Sequence, residues 1–303
     1  MYKYEGVLIH ESHDDEGIIE VIEVKGVRSL HFGSHSRQSS MLLSDPNKLE
    51  LDYVRAMVSW LLFKPTLDED ALIVGLGGGS LTKHLLQYFP ECHLKAVEFR
   101  KSVVKIARSH FGLSLDPRLK VIIDDGGDYI RQREESHREH YSLLFIDAFD
   151  HEGMASSICN EAFFDACKAL LKKDGILVIN LWGGTNNPEF QQVSRWLGRV
   201  FDWQILFLPV RDKGNIIALA FNNYSPLYSL KELRANALAL ESLPIFLEAT
   251  VPASVAIVLS TVLVVIFGEI LPQAFCTGPQ QMKIAENMSG LMKVSIIFIM
   301  EEY

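Results

Sequence analysis

Ala71-Leu-Ile-Val-Gly-Leu-Gly-Gly-Gly-Ser80 is answered about 20 residues further on by Ala96-Val-Glu-Phe99. The first stretch is an apolar run that ends in a glycine cluster, with a helical pattern starting at once. The second is an apolar run that ends in a carboxylate. This is the layout of a nucleotide-binding βαβ unit. Glycine lets the backbone turn sharply and approach a ligand closely, because no Cβ intrudes. A carboxylate at the tip of the second strand can accept hydrogen bonds from both hydroxyls of a ribose. The pair therefore predicts an adenosine-containing ligand, with Gly75, Gly77, Gly78, Gly79 and Glu98 against it. The plainer readings are a glycine-rich turn without a ligand, and a Glu98 that serves as a surface or helix-terminal charge ahead of Lys101. No Gly-Lys-Ser/Thr follows the loop, so it is not a Walker loop, and its small residues depart from the G-x-G-x-x-G spacing.

Outward from this unit, strands and helices alternate. Strands are predicted over residues 72–75, 94–98, 119–123, 143–147 and 176–181, and helices over 80–88, 101–111, 161–172 and 188–200. Residues 204–210 and 215–221 read as a hairpin, and 49–63 as an amphipathic helix. Upstream, residues 1 to about 33 read as short strands, with β-branched residues over 18–24 and 27–32 and Gly26 and Gly33 as punctuation. The expected fold class is α/β: a small N-terminal β-domain, then a doubly wound Rossmann-like domain with near-continuous apolar strands, and a hydrophobic helical tail. The expected segments are 1–64, 65–228 and 229–303.

A net charge of -9 argues against a nucleic-acid partner and suits a neutral or cationic small substrate. The four cysteines are scattered, which excludes a close-spaced metal or redox motif and reads as reduced thiols in a cytoplasmic setting. The N-terminus lacks a signal-peptide apolar core. His137 and His140 sit in a charged loop with no further ligand cluster, so no metal is expected.

Ligands of doubly wound sheets bind beyond the carboxyl ends of the strands, and two more acidic motifs fall there. Asp124-Asp125-Gly126 ends the third strand, where a carboxylate can accept a hydrogen bond from an adenine amine; the plainer reading is a turn. Phe145-Ile-Asp147-Ala-Phe-Asp150 ends the fourth. Two carboxylates three apart could receive a cationic amine, and one could take its proton so that the neutral nitrogen attacks. Capping or a turn is the alternative. Trp182, after the fifth strand, is a candidate wall.

These residues, with Arg37-Gln-Ser-Ser40, Asp52-Tyr53 and Asp116-Pro-Arg118, resemble the spermidine synthase (polyamine aminopropyltransferase) family over roughly residues 1–240. The resemblance implies a small β-domain joined to an S-adenosylmethionine-type Rossmann domain. It implies transfer of an aminopropyl group from decarboxylated S-adenosylmethionine to a small, putrescine-like amine, in a family that is often homodimeric. Carried over, Asp147 would be the base and Asp150 would help bind the amine. Gln38 and Tyr53 would face cofactor and substrate, Glu98 would hold the ribose, and Asp125 with Gly126 the adenine. The chain departs from the pattern at Gly78, where the family loop Gly-Gly-Gly-Asp-Gly-Gly carries its aspartate, and at Val54, where the family tends to have His. Asp147-Ala-Phe-Asp-His151 also replaces Asp-Ser-Ser-Asp-Pro. The lost aspartate keeps a second activity open, methyl transfer from intact S-adenosylmethionine. A third reading is a non-catalytic adenosine-ligand binder or membrane-tethered scaffold.

The tail is of another kind. Residues 254–267 are almost wholly apolar, and extended to Leu271 they approach the roughly 20 residues that span a bilayer. Leu243-Pro-Ile-Phe-Leu-Glu248, Ile257-Val-Leu-Ser-Thr261 and Gly268-Glu-Ile-Leu-Pro-Gln273 resemble part of the transmembrane domain of cyclin-M/CorC-type magnesium transporters. The tail is thus a candidate for membrane contact, either spanning at about 254–271 or packed as a buried helix. A complete ion path needs several helices.

Overall fold

A computed structural model describes residues 6–64, 66–148, 154–183, 187–210 and 214–222. Asp150 and the whole 229–303 tail, including the candidate spanning segment, lie outside the described residues.

The chain begins with a four-stranded antiparallel sheet in sequential order: β1 (Val7–Asp14), β2 (Gly17–Val24), β3 (Val27–His31) and β4 (Ser39–Leu42). The short strands expected over residues 1 to about 33 include β1, although patterning marks out only β2 and β3; β4 is missed. In β1 most positions are exposed or half-buried, so it lacks a clean apolar alternation. β4 is four residues long and buries two serines. The predicted helix over 49–63 is shorter than expected. α1 covers Asp52–Met57 and tightens into a 3-10 turn over Val58–Leu62, the usual way a helix end gains closer hydrogen bonds.

The second sheet has seven strands. In chain order these and their helices are β5 (Ala71–Val74), α2 (Ser80–Tyr88), β6 (Leu94–Glu98), α3 (Lys101–His110), β7 (Leu119–Ile123), α4 (Gly126–Arg131), β8 (Tyr141–Ile146), α5 (Glu161–Leu170), β9 (Leu171–Trp182), α6 (Pro188–Val200), β10 (Ile205–Pro209) and β11 (Asn215–Phe221). The order across the sheet is β10-β11-β9-β8-β5-β6-β7. Pairing is parallel from β9 to β7 and antiparallel between β9 and β11. The alternation read from sequence is therefore a Rossmann-like α/β sheet, with α4 the one helix the pattern omits; its six residues are too few to show a period. β5 and β8 are buried at every position, the signature of strands covered on both faces.

Chain direction across the sheet reverses between β5 and β8, which makes their carboxyl ends a topological switch point and the expected ligand crevice. Apart from residues 206–208 of β10, both sheets belong to one compact unit. Ile19, Val21, Leu30 and Met41 of the small sheet bury against Val103, Ile106 and Phe111 of the α3 region. Arg28 Nη1 adds a 2.7 Å hydrogen bond to the His110 carbonyl. This packing brings β4 over the glycine loop: Ser80 Oγ donates to the Ser40 carbonyl at 3.1 Å and lies 3.2 Å from Ser39 Oγ.

Candidate active site

Gly75 follows β5 and Asp147 follows β8, and they touch across the switch point. Gly75 has φ +95°, and a Cβ there would lie 2.1 Å from the Asp147 carbonyl oxygen. Only glycine fits both the backbone angle and the contact. The Asp147 amide donates to Val74 O at 2.8 Å, locking the two strand ends together. The Asp147 carboxyl is held from two sides. Tyr53 of α1 donates its hydroxyl to Oδ2 at 3.2 Å, and Asn180 of β9 donates Nδ2 to Oδ1 at 2.9 Å. Burial pushes the Asp147 pKa above the usual carboxylate range, against the pull of both donors. Tyr53 is raised well above its ordinary value by burial and by the facing carboxylate, so it remains a hydroxyl donor. Its hydroxyl also lies 3.4 Å from the backbone oxygen of Gln38. That oxygen faces Gly77, since a Cβ on Gly77 would stand 3.7 Å from it.

Glu98 ends β6 and is 9 % exposed. Its Oε2 accepts from the backbone N–H of Leu76 at 3.0 Å and of Gly77 at 3.4 Å, and its Oε1 from that of Arg100 at 2.9 Å. Burial raises its pKa, with the three N–H groups opposing. The carboxylate thus ties the glycine loop to the next strand. Arg100 is anchored in turn by Asp14 of the small sheet through 2.6 and 3.1 Å hydrogen bonds, and its guanidinium sits 4.6 Å over the Phe32 ring. Glu98→Gln keeps the shape but loses the charge and one acceptor. One amide hydrogen then faces a backbone N–H, so the fold should lose about 1–3 kcal/mol, the cost of an unsatisfied buried polar group. A lowered Tm checks this.

Asp125 caps α4, its Oδ1 accepting from Asp128 N at 2.9 Å. The plainer reading of this motif is a turn; the structure makes it a helix cap, which uses one of the two carboxylate oxygens. Gly126 lies against Val74. Gly79 is the left-handed residue before α2. Gly78 is crowded: a Cβ would lie 2.7 Å from Ser39 Oγ and 2.9 Å from the Phe111 ring. Phe111 is fully buried and cannot swing aside. Gly78→Asp, which introduces the aspartate of the loop this one resembles, should therefore destabilise the fold by about 1–3 kcal/mol through overpacking, read as a lowered Tm.

Three features escape the sequence reading. Asn180 is 3 % exposed inside an apolar strand; a lone amide in Ile176-Leu-Val-Ile-Asn-Leu was its only signal. Phe99 and Ile123, 57 % and 50 % exposed, flank the ends of β6 and β7 as apolar surface. Ser39 reaches the glycine loop from the other sheet. Trp182 is exposed at the end of β9, its ring over Gly214. His140 pairs with Asp70 at 2.8 Å, before β8 and β5, at the far end of the sheet from this site.

Residues 50–199 match the spermine/spermidine synthase domain, and residues 229–300 the cyclin M transmembrane N-terminal domain. A polyamine aminopropyltransferase of Neisseria meningitidis is 34% identical over 220 residues, 72% of this chain and 81% of that protein. Among solved structures, human methyltransferase-like protein 13 in complex with SAH aligns with TM-score 0.55 and 26% identity, over 64% of this chain and 92% of that one. Thermotoga maritima spermidine synthase aligns with TM-score 0.57 and 19% identity, over 74% and 75%. These likenesses give the larger sheet a methyltransferase-type Rossmann fold. Among the described residues no helix is long and apolar enough to cross a membrane.

Proposed function

Given that this chain belongs to the spermine/spermidine synthase family, we propose that it is an aminopropyltransferase that takes decarboxylated S-adenosylmethionine as donor and a putrescine-type amine as acceptor. The observation that carries this reading is the Asp147 carboxyl, half-buried, held by Tyr53 and Asn180, and set directly against Gly75 at the switch point.

In the proposed reaction the acceptor enters as an ammonium ion and gives one proton to Asp147. A carboxylate whose pKa is raised by burial is a better proton acceptor than one in water. The neutral nitrogen attacks the donor carbon next to the sulfonium. The new N–C bond forms as the C–S bond breaks, the sulfur keeps the electron pair, and methylthioadenosine leaves. Orientation supplies much of the rate, because both reactants are held in line. Asp150, Tyr53 and Gln38 would line the acceptor side. Gly75, Gly77, Gly78 and Gly79 would lie under the donor, Glu98 would hold its ribose, and Asp125 with Gly126 would meet its adenine. Phe99 and Ile123 supply apolar surface suited to the faces of that base.

The segments 1–64, 65–228 and 229–303 are our division of the chain, with catalysis in the second. A homodimer, no nucleic-acid partner, and a cytoplasmic enzyme that the 229–303 tail can bring to a membrane belong to the same reading.

A second activity, methyl transfer from intact S-adenosylmethionine, is favoured by Gly78. The neutral hydroxyls of Ser39 and Ser80 border the loop there, and Gly78 itself brings no carboxylate to repel that of the intact donor. Incubating the protein with each donor and a diamine separates the two. Release of methylthioadenosine supports aminopropyl transfer, release of S-adenosylhomocysteine supports methyl transfer, and neither product would leave a ligand-binding scaffold.

A further inference from the structure

Asn180 does not act alone. Its Nδ2 donates to Asp147 Oδ1 at 2.9 Å, while its own Oδ1 accepts from Asn215 Nδ2 at 3.0 Å. Asn215 is the first residue of β11 and pairs in register with Trp182; Asn180 lies two residues earlier on β9, on the same face of the sheet. The three side chains form one line of hydrogen bonds running from the sheet into the carboxyl group.

We propose that Asn180 and Asn215 are positioning residues for the proposed base: Asn215 sets which way the Asn180 amide points, and that direction keeps Asp147 Oδ1 an acceptor. The inference rests on the role given to Asp147 above.

An amide has the same shape when turned over, so hydrogen bonding alone selects its orientation. In the observed direction Asn180 can only donate to Asp147, which favours the ionised carboxylate. Turned over, it would present Oδ1 to the carboxyl and favour the protonated acid, but its NH2 would then meet the NH2 of Asn215. For Asp147 to donate its proton into this line, both amides must turn together. The relay therefore opposes the effect of burial and keeps the carboxylate ready to accept a proton from the amine. The other group facing Asp147 among the described residues is Tyr53, from α1, which donates in either state. Neither β9 nor β11 adds a charge at this contact. Asp150 lies outside the described residues.

The test is a carboxyl titration of the full chain labelled with 13C-aspartate, the Asp147 resonance being assigned by its loss in Asp147→Asn. Asn180→Leu removes the donor at similar volume and should raise the Asp147 midpoint by roughly one pH unit or more. Asn215→Leu leaves the donor but frees the amide to turn, and should raise the midpoint by less. In turnover the acid limb of kcat should move upward with each midpoint, and the high-pH plateau should be recovered. Asn215 is half-buried at a strand end, so its variant keeps the test decisive even where Asn180→Leu fails to fold. An unmoved Asp147 midpoint in folded Asn215→Leu overturns the relay, whatever happens to the rate. A graded shift in a protein that releases neither methylthioadenosine nor S-adenosylhomocysteine leaves the relay standing and overturns the proposed function instead.

Discussion

Asp147→Asn is expected to lower kcat by about 10²–10⁴-fold, the range that a positioned general base contributes, with donor affinity nearly unchanged. The substitution keeps the side-chain shape. Its carbonyl oxygen can still accept from Asn180, and the Tyr53 hydroxyl can turn toward the backbone oxygen of Gln38, 3.4 Å away. What disappears is the site that receives the ammonium proton. The pH dependence has a fixed sign. The base must be ionised, so the wild-type rate falls as pH drops through the Asp147 pKa. Because burial raises that pKa, the fall begins above the ordinary aspartate value of about 3.9. Asp147→Asn should lose this acid limb. Steady-state kinetics across pH, with calorimetric titration of the donor, measures both effects. A variant that retains full kcat would remove Asp147 from the chemistry and leave Glu98 and the glycine loop as a binding site only.

Gly75→Ala is expected to be the most damaging single-methyl change. The new Cβ would stand 2.1 Å from the Asp147 carbonyl oxygen and 2.6 Å from its carbonyl carbon, and both are backbone atoms that no rotamer change can move. The left-handed φ adds a backbone term of about 1–3 kcal/mol, and overpacking a similar amount, so the total loss is roughly 2–6 kcal/mol. Relief requires β5 and β8 to part at their carboxyl ends, which strains the Asp147 N–H to Val74 O hydrogen bond. Urea denaturation should show a lower midpoint at unchanged slope. Whatever fraction folds should also have a depressed kcat, because the same contact that Gly75 permits sets the position of Asp147.

The sequence by itself determined the alternation of β5 to β9 with their helices, the glycine loop, and Glu98 and Asp147 at strand ends. Each of these is a local signal: a period, a turn residue, or a charge closing an apolar run. The family resemblance is carried by the same residues. Weak or short elements stayed hidden. β4 offers only Ser-Ser-Met-Leu, and α4 is six residues long. Tertiary structure alone decided what those charges do. Glu98 proves to be the clasp of the loop that precedes β6 by some 20 residues, because the parallel pairing of β5 with β6 brings their ends together. Gly78 proves to be walled by Ser39 and Phe111, which come from β4 and the end of α3. Asn180, one amide in an apolar strand, gains meaning only when β8 on one side supplies Asp147 and β11 on the other supplies Asn215. Periodicity records what each residue does within its own element; hydrogen bonds between residues 33 and 35 positions apart depend on which strands the fold sets side by side.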